Sequence, residues 1–249
     1  MAYLVIPTLI IAPLSFNSQP YFTYPIKEFS LKWYEQILTT QPWRIAFRNS
    51  LTVGILSTLF ATTLGTLAAL GLSGLPQRIR YAFNLVLLSP LFIPIIVFAV
   101  GFFYLAAKVG IVNSLGALIW AHIVLGLPFV IIVVTASLEG FDRDLVKAAQ
   151  SLGASPFTTF RRITLPLIAP GVMAGAIFAF VTSWDEIVTA LFVAGGPENH
   201  TLPRRLWSGL REELSPAIIA AATILSLLSV VLMITVETLR NKFADTKRS

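Results

Sequence analysis

Residues 115–138 read LGALIWAHIVLGLPFVIIVVTASL, an apolar run in which His122 is the one ionisable side chain. As a helix rising ~1.5 Å per residue, a run of this length covers a hydrocarbon core of about 30 Å. Lipid offers no hydrogen bonds, so a helix that satisfies its own backbone is the form such a run must take. Comparable runs fall at 49–71, 82–106, 167–194 and 217–239, with a foreshortened one at 2–16. Together they predict an all-α membrane protein: six transmembrane helices in a single domain spanning 1–249.

Composition agrees. Charged residues make up 12% of the 249 positions and hydrophobic ones 56%, against roughly 25% charged in soluble domains. A mean hydropathy of +0.80 repeats the point. The absence of cysteine excludes disulfides, thiolate metal sites and cysteine nucleophiles, and two distant histidines offer no imidazole cluster. The net charge of +6 is an ordinary membrane-edge signal, and no nucleic-acid partner is expected.

Topology follows from the loops. The 2–16 run has no Lys or Arg before Lys27, so it lacks the basic start of a signal peptide. It reads as a first membrane helix whose cytoplasmic start is missing or very short. Segment 17–48 is polar and aromatic and reads as an outer-face loop with a short helix, Trp33, Tyr34 and Trp43 anchoring at the headgroup level. Alternating loops divide the Lys and Arg residues ten to eight, which favours cytoplasmic termini. Pro90, Pro94 and Pro128 should kink or unwind their helices, as packing features or as hinges. Gly171 and Gly175, with Ala174, Ala176 and Ala179, form a small-residue face for close helix packing.

The stretch from Glu139 to Pro166 is too long for a simple hairpin. Asp142 can cap a helix in which Leu145, Ala148, Ala149 and Leu152 form one apolar stripe, stopped by Gly153. Ser155-Pro156 opens a second short helix with Phe157 and Phe160 on one side and Arg161 and Arg162 at its end, and Pro166 closes it. Two such helices at a right angle suit a groove on another protein; a helix lying on lipid is the alternative.

The run Leu145-Val146-Lys147-Ala148-Ala149-Gln150-Ser151-Leu152-Gly153-Ala154, then Ile163-Thr164-Leu165-Pro166, resembles the cytoplasmic EAA loop of bacterial ABC importer permeases. That pattern is E-A-A, three residues, G, nine residues, I-x-L-P. Lys147 stands where the family has Glu, reversing a charge that Asp144, one turn earlier, can offset. The order of spans, Ser183-Trp184-Asp185-Glu186 and Thr201-Leu202-Pro203 are similar to the second permease subunit of spermidine/putrescine-type importers. The resemblance implies the MetI-like type I fold and no catalysis in this chain. It also implies a bacterial cytoplasmic (inner) membrane location and a coupling loop at about 139–166 that docks into a cytoplasmic ABC ATPase dimer. Asp144, Lys147, Ala148, Ala149, Leu152, Gly153, Ala154, Phe157 and Phe160 would make that contact. Further implied partners are a second, related permease, a periplasmic or extracellular solute-binding protein, and membrane lipid. The chain contains no Gly-Lys dipeptide and hence no Walker A loop, so ATP and magnesium belong to the partner.

Carboxylates within spans are costly, at ~2.5 to 3.5 kcal/mol, and default to a functional reading. Asp185 and Glu186, with Trp184, are candidates for the substrate path, where they would attract a cation. Alternatively they meet another subunit or cap a broken helix. His122 reads as a buried polar contact, and Glu237 as a partner for Arg240. Arg204, Arg205, Arg211, Glu212 and Glu213 form an outer-loop cluster, either a solvated charged face or a docking site for the binding protein. An opine or amino acid derivative as solute, an ion-coupled secondary transporter and an intramembrane enzyme are the competing functions.

Overall fold

The computed structural model describes residues 10–21, 24–140, 142, 144–212 and 215–246. Among them, a 3-10 turn at Ala12–Phe16 is followed by α1 (Lys32–Thr39), α2 (Gln41–Ser73), α3 (Gln77–Leu87), α4 (Ile95–Lys108) and α5 (Leu115–Glu139). Then come α6 (Asp144–Ser151), α7 (Pro156–Asp185), α8 (Val188–Val193), α9 (Leu202–Glu212) and α10 (Pro216–Thr246). One isolated bridge pairs Asn17 with Phe29. Among the described residues, three helices, α2, α5 and α7, are long and apolar enough to cross a membrane; α4 and the Pro216–Val231 part of α10 are shorter apolar helices.

The run at 82–106 unwinds at Pro90 and Pro94, as expected: α3 ends at Leu87, a 3-10 turn occupies Ser89–Leu91, and α4 starts immediately after Pro94. The two prolines, four residues apart, each remove a backbone donor. The Val86 carbonyl, which a helical residue 90 would bond, instead accepts the Ser89 hydroxyl at 2.7 Å. Pro128, by contrast, stays inside α5, which continues through it. Pro166 does not end the second loop helix either. The chain passes through a π-type turn at Phe160–Thr164, where the Leu165 N–H bonds the Phe160 carbonyl, into Leu165–Asp185. The 167–194 run breaks after Asp185. Residues 2–9 of the first run lie outside the described residues, as do Glu213 and the side chains of Glu237 and Arg240.

The chain divides into two compact units. The first comprises Met1–Val53, Ile95–Leu118 and Trp184–Val231. In it the tryptophans expected at the headgroups are buried: Trp33 donates its indole N–H to the Asn17 carbonyl at 2.6 Å, and Trp43 lies beneath the Arg205 guanidinium, 5.7 Å from its ring centroid. Each indole finds a polar partner inside the fold. Tyr34 reaches the Ser15 hydroxyl at 2.7 Å.

The second unit comprises Gly54–Pro94, Ile119–Ser183 and Leu232–Ser249. Its core gathers Ala61, Ala69, Val130, Val134, Leu138, Ile168 and Ala179. The small-residue face of α7 does press on α5: a Cβ at Gly171 would fall 2.7 Å from the Ser137 Cβ, and one at Gly175 would fall 3.1 Å from the Val130 Cα. His122 is buried as expected and shares a 2.7 Å hydrogen bond through Nδ1 with Ser183 Oγ, which is 3.1 Å from Ser57 Oγ.

Candidate functional site

Two local arrangements carry the predicted site residues, one in each unit. The first is the break between α7 and α8. Glu186 is buried, and its two carboxylate oxygens accept from the backbone N–H groups of Thr189 (2.8 Å) and Ala190 (3.3 Å), capping α8. A carboxylate at an N-terminus satisfies donors that a helix leaves unbonded and complements its dipole. The opposite end of α8 is held by Arg204, whose guanidinium donates to the Ala190 and Ala194 carbonyls. Burial pushes this guanidinium down from its ordinary value, a cost the two carbonyls help to offset.

The three residues expected on the substrate path therefore part company. Trp184 is buried with its ring edge-on to Phe47, centroids 6.3 Å apart, so it belongs to the core. Glu186 is a cap. Asp185 is exposed and lines a cavity of about 250 Å³ with Ile187, Pro203, Leu206, Trp207 and Ile218. The outer-loop basic cluster is not a uniformly solvated face, since Arg204 caps α8 and Arg205 covers Trp43; Arg211 alone of the three is exposed. Trp207 was legible as part of an apolar stripe on α9, with Leu202, Leu206 and Leu210. The cap made by Arg204 had no sequence signal, because its acceptors lie ten and fourteen residues upstream in another helix.

The second arrangement is the 139–166 loop. The Asp144 N–H donates to the Asp142 carboxylate at 2.9 Å, starting α6 as the sequence suggested. Lys147 pairs with Asp144 at 2.8 Å, both side chains more than 70% exposed, so the reversed charge is offset within the helix. Gly153 has φ +84°, and two hydrogen bonds close the end of α6: Gly153 N–H to the Gln150 carbonyl and Ala154 N–H to the Ala149 carbonyl, each 3.0 Å. This is a Schellman ending, which glycine adopts without strain. Ser155 caps the start of α7, accepting from the Thr158 N–H at 3.2 Å. The expected stripe is split: Ala149 is buried, while Leu145, Ala148 and Leu152 are exposed, Leu152 at 89%. Phe157 is also exposed, whereas Ala154 and Phe160 are half-buried. The loop thus presents Leu145, Leu152 and Phe157 uncovered beside capped helix ends.

Residues 61–244 match the binding-protein-dependent transport system inner membrane component family. The chain belongs to this family. The permease is 37% identical over 233 residues to the spermidine/putrescine transport system permease protein PotC of Escherichia coli (strain K12), a match covering 94% of this chain and 88% of that protein. It is 34% identical over 230 residues to the putrescine transport system permease protein PotI of the same strain, covering 90% of this chain and 81% of that protein. Its fold resembles that of a chain in a bacterial alginate ABC transporter solved with an alginate pentasaccharide-bound periplasmic protein. The TM-score is 0.73, with 17% identity over 97% of this chain and 90% of the other. The protein is thus an inner-membrane ABC importer permease and a non-catalytic subunit, the ATPase being a separate chain.

Proposed function

We propose that this permease imports polyamines or closely similar small amines. The observation that carries the reading is Asp185: an exposed carboxylate at a helix break, on the wall of an otherwise apolar cavity that includes Trp207. A polyamine is a string of ammonium groups joined by methylenes. A carboxylate suits the ammonium, an aromatic face adds cation–π attraction, and aliphatic walls suit the methylenes. PotC and PotI, named for spermidine/putrescine and putrescine transport, support the same choice.

In this reading the exposed apolar side chains of the 139–166 loop, Leu145, Leu152 and Phe157, seat in a cytoplasmic ATPase, with Asp144, Lys147, Ala148, Ala149, Gly153, Ala154 and Phe160 shaping or flanking the contact. ATP and magnesium bind in that partner, both termini face the cytoplasm, and a second, related permease completes the path to which a solute-binding protein delivers. The test is uptake of radiolabelled spermidine and putrescine by the reconstituted complex. Asp185→Asn keeps the size of the side chain and removes the charge. Losing an interaction worth ~1.5 to 3 kcal/mol lowers uptake on the order of 10- to 100-fold, while basal ATP hydrolysis persists. Wild-type uptake of both amines by the variant would refute the assignment of Asp185.

A further inference from the structure

A second cavity, of about 640 Å³, lies within the first unit. Its walls are largely aliphatic, from Ile37 and Leu38 of α1, Ile45 of α2, Leu202 of α9 and Ile224 of α10. Arg44 and Arg48 also line it, both exposed. They stand four residues apart and so share one face of α2. Neither side chain has a hydrogen bond or ion pair among the described residues. After Arg48 no charged residue occurs until Arg78, so the two arginines stand where α2 becomes an uninterrupted apolar span. That is the level of the lipid phosphates in a membrane.

We propose that this cavity is a binding site for an anionic phospholipid, whose phosphate is held by Arg44 and Arg48 and whose acyl chains fill the aliphatic pocket. Arginine presents a planar fork of donors matched to phosphate oxygens, and two of them beside an aliphatic pocket match an amphiphile with a charged head. A hydrated peptide segment from a partner would leave its backbone groups unpaired against these walls, and a free phosphate would leave the cavity unfilled. The inference rests on α2 crossing the membrane and not on the identity of the solute.

The test uses the assembled transporter in nanodiscs of equal phosphatidylglycerol and phosphatidylcholine, extracted into lipid-free detergent and examined by native mass spectrometry. The wild type retains one phosphatidylglycerol for each copy of this permease and no phosphatidylcholine. The double variant Arg44→Gln/Arg48→Gln lowers that occupancy at least tenfold. Leu38→Trp, at an exposed position, lowers it too by filling the pocket while leaving both charges. Millimolar glycerol 3-phosphate does not displace the lipid. The proposal is overturned if the wild type retains no phosphatidylglycerol, if both variants retain it at the wild-type level, or if glycerol 3-phosphate removes it. Crosslinking that seats a carboxylate of another subunit on Arg44 or Arg48 overturns it as well.

Discussion

Gly153 offers the sharpest test of the loop's role, because the structure separates conformational cost from steric cost there. Its φ of +84° is one that L side chains rarely adopt, yet a Cβ built on it meets nothing within 4 Å. Any effect of substitution must therefore come from the backbone. For an L-residue the left-handed region costs roughly 1–2 kcal/mol, and a β-branched residue stands at the upper end or beyond. A cost of 2 kcal/mol is about a 30-fold shift against the native turn at RT ≈ 0.59 kcal/mol, and it strikes both hydrogen bonds that end α6. Gly153→Val should therefore let α6 swing out of register with Phe157 and Phe160, whereas Gly153→Asn, which tolerates this conformation, should keep most of the coupling. The assay is substrate-stimulated ATP hydrolysis and uptake by the reconstituted complex, with subunit stoichiometry as a control. Expected results are loss of stimulation in the valine variant, partial retention in the asparagine variant and normal assembly in both. Wild-type stimulation in Gly153→Val would refute the view that this turn transmits the signal.

Other substitutions probe the remaining contacts. Arg204→Ala removes the charged group at the C-terminal end of α8, and the thermal midpoint of the purified complex should fall, in line with a loss of roughly 2 kcal/mol; an unchanged midpoint would remove the capping role. Glu186→Gln retains acceptor capacity through only one oxygen, so it should lower the same midpoint while Asp185→Asn leaves it alone. Equal melting of the two carboxylate variants would contradict their assignment to different environments. Gly171→Val drives side-chain atoms into Ser137 and should cost about 1 to 3 kcal/mol by overpacking, with partial rescue by Ser137→Gly; no rescue would argue against the α5–α7 contact. Lys147→Ala breaks an exposed pair, worth under about 1 kcal/mol, and should leave melting unchanged, so any transport defect in it would report contact with the ATPase.

Much of this was legible before any coordinates, and the reason is local. Apolar runs longer than a bilayer, the Asp142 and Ser155 caps and the stop at Gly153 depend on residues within one or two turns of each other, and helical geometry turns such spacing directly into structure. The offsets of Ala148, Ala149, Gly153, Ile163, Leu165 and Pro166 spoke through their resemblance to the EAA loop of ABC importer permeases, since spacing alone left a helix lying on lipid as the alternative. Tertiary structure decided what depends on partners remote in sequence. Whether Glu186 faces a substrate or caps a broken helix, both open from the sequence, turns on where the chain breaks, and the apolar run continuing to 194 does not mark that point. That Arg204 holds the far end of α8, that Trp33 and Trp43 are buried, and that Asp185 shares a cavity with Trp207 all follow from helices brought together across long stretches of chain. Periodicity says which face of a helix is apolar. It does not say which neighbour covers that face, and at this site the neighbour determines whether a charge is a cap or a ligand.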